Sequence, residues 1–309
     1  MITRTSTYLK ITSVVFGSCL FLHNESQAIE LQTNALLNTA QVDNIPIEAP
    51  PANATAGFDI ILSYVNAPTA SQAAAFSAAE LAWESRIVGY LDTLANNTIT
   101  IDVNLSNIDG PGGILGSAGP TFAKVGSEAN FLYASAGSMT FDTSDTAGLE
   151  TAGTFGAVIE HEMGHVLGLG TLWSSSGVGI PGYQELYVDG SGEYTGAAAL
   201  AQWQTEFGQT GATFIPVELG GGPGTANGHW NEVDGGAGLT GITQAGTGND
   251  MRDELMTGWL NSPAFISNMT IAQFEDLGYQ VVYPSAVPEP SSLLLSALGF
   301  SLLLTRKKR

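Results

Sequence analysis

The stretch that decides the fold runs from Thr151 to Leu169, TAGTFGAVIEHEMGHVLGL, and it is centred on His161-Glu162-Met163-Gly164-His165. Val158, Ile159, Val166 and Leu167 flank the pentapeptide with apolar side chains, so the segment reads as a helix buried beside a cleft. Residues four apart lie one turn apart on the same helix face, and both imidazoles can therefore reach one cation. Glu162 lies about 100° further around the axis, which suits it to a water on that cation rather than to the cation itself. Charged side chains inside such a helix need a partner, and a metal ion supplies one. Zinc with three protein ligands keeps a position open for water and lowers its pKa to about 7. A carboxylate beside that water can take up its proton and pass it to a leaving amine.

The third ligand is read from arithmetic. The chain has 4 histidines, and His23 lies in a leader segment described below. His161, His165 and His229 remain, so His229 is expected on the same ion. Two other readings stay open: a loop histidine without a role, or a third ligand from Glu185 or Glu193, neither of which falls on a convincing second helix. Gly168, three residues after His165, permits the sharp turn by which the chain leaves the helix and returns beneath the metal.

On these residues the chain resembles a known family. His161 to Gly168 is similar to the H-E-x-x-H-x-x-G core of the metzincin metallopeptidases. Most of them place a third histidine where this chain has Thr171. The leishmanolysin family instead inserts a long segment first, and here His229 follows His165 by 64 residues. Asp253-Glu254-Leu255-Met256-Thr257-Gly258 resembles the family's Met-turn, whose methionine forms an apolar base under the metal; taken alone, Met256 reads as a core filler. The resemblance runs from about Phe58 to Val282. It implies an α+β, zincin-like fold: a mixed twisted sheet plus an active-site helix above a loop-rich C-terminal subdomain. It further implies a zinc endopeptidase with ligands His161, His165 and His229, Glu162 as general base, and an extended protein or peptide substrate. Gly113 to Gly119 or the neighbouring strand is the candidate edge for pairing that substrate; no other substrate-binding residue is assigned. Unlike eukaryotic leishmanolysins, the chain beyond its leader has no cysteine, which removes disulfide bracing and a cysteine-switch propeptide.

Both ends read as address labels. Arg4 and Lys10 precede the apolar run Ile11 to Leu22, and Ser26-Gln27-Ala28 offers the small residues of a signal-peptide cleavage site after Ala28. Cys19, the only cysteine, lies in that run; a lipobox reading of Phe16-Gly17-Ser18-Cys19 is disfavoured by Phe16. Residues 29–57, with Pro46, Pro50 and Pro51, read as a linker or propeptide remnant. At the other end, Val287-Pro288-Glu289-Pro290, an apolar stretch from Leu293 to Leu304 and Arg306-Lys307-Lys308-Arg309 resemble the PEP-CTERM sorting signal of Gram-negative bacteria, recognised by an exosortase. The apolar stretch is shorter than the ~20 residues that span a bilayer, so membrane association through it is transient; a plain C-terminal anchor is the alternative. Residues 58–283 are then the metallopeptidase domain, 287–309 the sorting tail, and the destination the cell surface or the extracellular space.

Of 309 residues, 9 are Lys or Arg and 29 Asp or Glu, for a net charge of −20. Such a surface repels phosphates and argues against nucleic acid as a partner; its simplest use is solubility outside the cell. Asn107-Ile108-Asp109-Gly110 and Asp189-Gly190-Ser191-Gly192-Glu193 are calcium-like turns, but no stretch fits a specific calcium motif. Strands are predicted at Phe58–Val65, Thr98–Leu105 and Phe131–Phe141, and helices at Ser71–Leu94, Ala197–Phe207 and Asn268–Gly278 with Asn268 as cap. Gly110–Gly119 and 220–228 read as turn and loop. Trp173 and Trp230 read as core packing. A non-catalytic surface or matrix protein with a structural metal is the alternative to an enzyme, and hydrolysis of another amide or ester a third reading.

Overall fold

The computed structural model describes residues 57–283 apart from 113, 223 and 233–237, together with the backbone of three strands nearer the N-terminus, Leu9–Lys10, Phe16–Leu22 and Ile29–Ala35. The predicted cleavage point at Ala28 and the whole sorting tail lie outside the described residues. Ile29–Ala35, within the expected linker, is extended and pairs with Phe16–Leu22 and with Trp259–Leu260.

Counting from the start of the domain, β1 (Asp59–Tyr64), β3 (Thr98–Ser106), β4 (Gly116–Val125) and β5 (Leu132–Asp142) form a mixed sheet in the order β4-β5-β3-β1. β1, β3 and β5 run parallel, and β4 is antiparallel to β5. Among the described residues only Leu9–Lys10 pairs with the outer edge of β4, opposite Ala123 and Phe122. The strand sequences explain the arrangement: Ile99, Ile101 and Val103 of β3 are wholly buried, with more exposed residues between them, the alternation of a sheet with one covered face. Helices α1 (Ala70–Glu84) and α3 (Phe155–Leu167) pack on each other, and α3 lies against β4 and β5. The fold is α+β with a mixed sheet.

Several boundaries differ from the sequence reading. The helix expected over Ser71–Leu94 stops at Glu84, because Ile87–Tyr90 is strand β2, paired with β9 (Tyr279–Val281) far along the chain. The segment Thr151–Leu169 is not one helix. It holds the end of an unpredicted helix α2 (Thr143–Ala152), which Gly153 ends at φ 73°, and then α3. The Gly110–Gly119 turn region already belongs to β4 from Gly116 onward. Ser267, not Asn268, caps α5 (Asn268–Asp276) by accepting from the Thr270 N–H.

Beyond α3 regular structure thins out. Two-residue strands β6 (Glu193–Tyr194) and β7 (Ile215–Pro216) pair, α4 (Ala197–Glu206) packs on α5, and β8 is Trp259–Leu260. Trp173 and Trp230 are buried and stacked 5.0 Å apart, as core residues are. Their indole N–H groups donate to Gln273 Oε1 and Thr270 Oγ1 on α5.

Candidate metal centre

α3 presents its motif residues at the centre of the domain because both sides of the helix are covered. A Cβ on Gly164 would stand 3.2 Å from Trp83 Cζ2 and 3.0 Å from Met256 Cε. The helix therefore sits between α1 and the Met256 turn at the residue preceding His165. Trp83 Nε1 donates to the Glu160 carbonyl, and Arg86 pairs with the Glu160 carboxylate at 2.5 Å.

His161, His165 and His229 converge. Their Nε2 atoms are 2.8, 3.1 and 3.2 Å apart, and all three rings are fully buried. Among the described residues they are the only group of three metal-competent side chains brought together. Each Nδ1 faces a backbone carbonyl: Leu255 for His161 (2.6 Å), Leu169 for His165 (2.8 Å) and Thr225 for His229 (2.8 Å). A carbonyl only accepts, so each Nδ1 carries the proton and each Nε2 offers a lone pair. Three lone pairs facing one another cannot hydrogen-bond together; an electrophile between them resolves the arrangement. Nitrogens at about 2.0–2.1 Å from a tetrahedral zinc stand roughly 3.3 Å apart, close to the separations found here. Burial and the neighbouring imidazoles hold His161 and His165 far below the ordinary histidine range, and burial holds His229 at about 4. Neutral imidazoles of this kind are ligands rather than cations. The donor set fits a metal.

Glu162 is also fully buried, and neither carboxylate oxygen has a hydrogen-bond partner. Burial pushes its carboxyl well above the usual carboxylate range. A Cβ on Gly116, the first residue of β4, would stand 2.9 Å from Glu162 Oε1. The side chain thus lies where the edge strand begins, within the stretch expected to line a substrate.

Gly168 takes φ 121° and closes the helix, its N–H bonded to the Gly164 and His165 carbonyls. Sequence reading missed Gly170. At φ 70° it lies so close to Gly228 that a Cβ would fall 2.1 Å from the Gly228 carbonyl oxygen; this contact brings the segment before His229 against the end of α3. Met256 is fully buried, and its turn carries the Leu255 carbonyl that holds His161. The Met256 carbonyl accepts from the Trp230 N–H at 3.0 Å. No sequence pattern signals these backbone contacts.

The other candidate ligands lie elsewhere. Glu185 accepts from Ser174, Ser175 and Ser176, and Glu193 is exposed on β6. In the Asn107–Gly110 turn the N–H groups of Ile108, Asp109 and Gly110 all point at Asp142 Oδ2, so the backbone of this turn serves a carboxylate.

Residues 286–309 match the PEP-CTERM protein-sorting motif. No curated protein matches the chain. The motif marks exported proteins sorted to the cell surface and processed by an exosortase-type enzyme, and this chain carries it. No helix among the described residues is long and apolar enough to cross a membrane.

Proposed function

We propose that this exported protein is a zinc-dependent endopeptidase of the metzincin type, similar to leishmanolysins. The observation that carries the reading is the convergence of three unprotonated Nε2 atoms beside a helix whose Glu162 is buried without a partner. His161, His165 and His229 would hold the ion, which when bound supplies Lewis-acid polarisation of a water and of a substrate carbonyl. Imidazole sets suit zinc, and also copper, iron and nickel. Glu162 takes the water's proton at a carboxylate oxygen and delivers it to the departing amine. The three carbonyls behind the rings fix the tautomer and aim the lone pairs. The outer edge of β4, from Gly116 onward, offers backbone groups for an extended peptide.

The full burial of all four side chains favours a second reading, a structural ion in a non-catalytic surface protein. In the uncut chain, however, Phe16–Leu22 runs alongside β4 and α3, and cleavage after Ala28 would remove that cover. The test is casein cleavage by the exported protein, with and without a chelator, beside Glu162→Gln and a measured metal content. Chelator-sensitive cleavage that falls about 10²- to 10⁴-fold in the Gln variant, with metal retained, is expected. Cleavage indifferent to chelator, or undiminished in the variant, sinks the proposal. A metal-loaded protein inert towards every peptide selects the second reading.

A further inference from the structure

Glu254 is a buried acid that accepts four hydrogen bonds, and the proposed chemistry does not use it. It is 1% exposed, and all four of its side-chain contacts are donors. Oε2 accepts from the Met256 N–H at 2.6 Å. Oε1 accepts from the Ser267 N–H (3.0 Å), Ser267 Oγ (2.9 Å) and Thr270 Oγ1 (2.6 Å). Neither hydroxyl is free to turn round: Ser267 Oγ already accepts from the Thr270 N–H, and Thr270 Oγ1 from the Trp230 indole. Both therefore spend their protons on Glu254. The neighbouring guanidinium of Arg252 pairs with Asp253, and the four donors to the Glu254 carboxylate are all neutral.

These bonds lead to two of the three histidines by short routes. Leu255, the next residue, gives its carbonyl to His161 Nδ1. Met256, whose N–H Glu254 holds, gives its carbonyl to the Trp230 N–H, and Thr270, whose hydroxyl Glu254 holds, takes the Trp230 indole proton. Trp230 adjoins His229 in the chain. A single buried carboxylate thus ties together the supports of a ligand on the helix and a ligand on the distant loop.

We infer that Glu254 is a positioning residue for the metal. By holding the 254–258 turn it sets where the Leu255 carbonyl stands behind His161 and where Trp230 carries His229. The inference rests on the reading of the three imidazoles as a metal site. Groups that orient metal-ligating histidines typically change metal affinity by about 10- to 100-fold when removed. A glutamine at 254 keeps the length but turns an NH₂ group towards donors, so at least one of the four bonds is lost.

The test is cobalt(II) and zinc(II) affinity of the full chain, read by competition with a chromophoric chelator, together with the visible spectrum of the cobalt form. Wild type is compared with Glu254→Gln and Thr270→Val. The expected result is about 10- to 100-fold weaker binding in Glu254→Gln with a shifted cobalt spectrum and unchanged circular dichroism of the metal-free protein. Thr270→Val, which cuts only the Trp230 branch, should weaken binding by a smaller factor, and it decides the matter if the glutamine variant does not fold. Wild-type affinity and an unshifted spectrum in a folded Glu254→Gln overturn the inference, as they do in Thr270→Val when that variant decides. A wild-type chain that binds neither ion sinks instead the reading of the imidazole cluster, a separate failure.

Discussion

Residues 58–167 and residues 168–267 satisfy their buried backbone groups by different means. The first region relies mainly on ladders and helices, with β1, β3 and β5 in register, α1 and α3 packed on each other and α3 on the sheet, and carboxylates such as Asp142 serving single turns. The second has little regular structure, and carboxylates do the work of a ladder there. Asp250 accepts from the N–H groups of Thr240, Gly241 and Arg252. Glu206 accepts from those of Asn268 and Met269, and Glu254 from those of Met256 and Ser267. A loop buried without such acceptors would strand its donors at a cost of about 1–3 kcal/mol each. Part of the acidity of the chain is therefore used inside the fold. The comparison also separates the candidate ligands: two histidines ride on a helix formed by its own sequence, the third on a loop held by side chains.

The largest effect should come from setting His165→Ala against His229→Ala. Both are expected to lose the metal, yet hydrogen exchange should rise in residues 168–267 alone, because the ion pins the loop region to an already stable helix. Equal loosening of both regions would erase the distinction. Next comes Gly170→Ala, where a side chain meets the Gly228 carbonyl and φ is 70°. About 2–4 kcal/mol of destabilisation is expected, read as a fall in Tm, with weakened metal binding because Gly228 precedes His229. A variant of unchanged Tm would show that the two segments can part freely.

Gly116→Ala probes the regular region alone. The new methyl displaces the Glu162 carboxylate, so cleavage should drop about tenfold or more while metal content holds. Loss of metal instead would mean that the strand supports the ligands as well.

The smallest effect is a pH dependence in the loop region. Burial and the neighbouring Glu218 carboxylate raise Glu232 to about 8. The folded protein therefore holds this proton where the unfolded chain has lost it. The stability it contributes is complete below the unfolded value near 4.5 and is lost as pH rises through about 8. In Glu232→Gln that part of the decline should vanish, so its Tm gains on wild type between pH 5 and 8. Parallel Tm profiles would contradict the assignment.

Much of the site was legible because it is local. The spacing of His161, Glu162 and His165 is a property of one helix, and apolar flanks announce its burial. His229 could be named by elimination, since few histidines are available. What was not legible was contact. Ile87–Tyr90 read as helix because its strand partner lies at the far end of the domain. Gly170, Gly116 and Glu254 carry no pattern of their own, and their roles exist only in what they touch.

Helical periodicity by itself determined that two histidines share one face, and the order of sequence motifs carried the resemblances from which the α+β class and the sorting tail were expected. Only the tertiary structure decided that the ring of residue 229 arrives with its Nε2 aimed at the other two, and that three backbone carbonyls set the tautomers. The physical reason is range: a turn of helix is written in five residues, whereas a carbonyl behind an imidazole depends on how segments far apart in sequence pack.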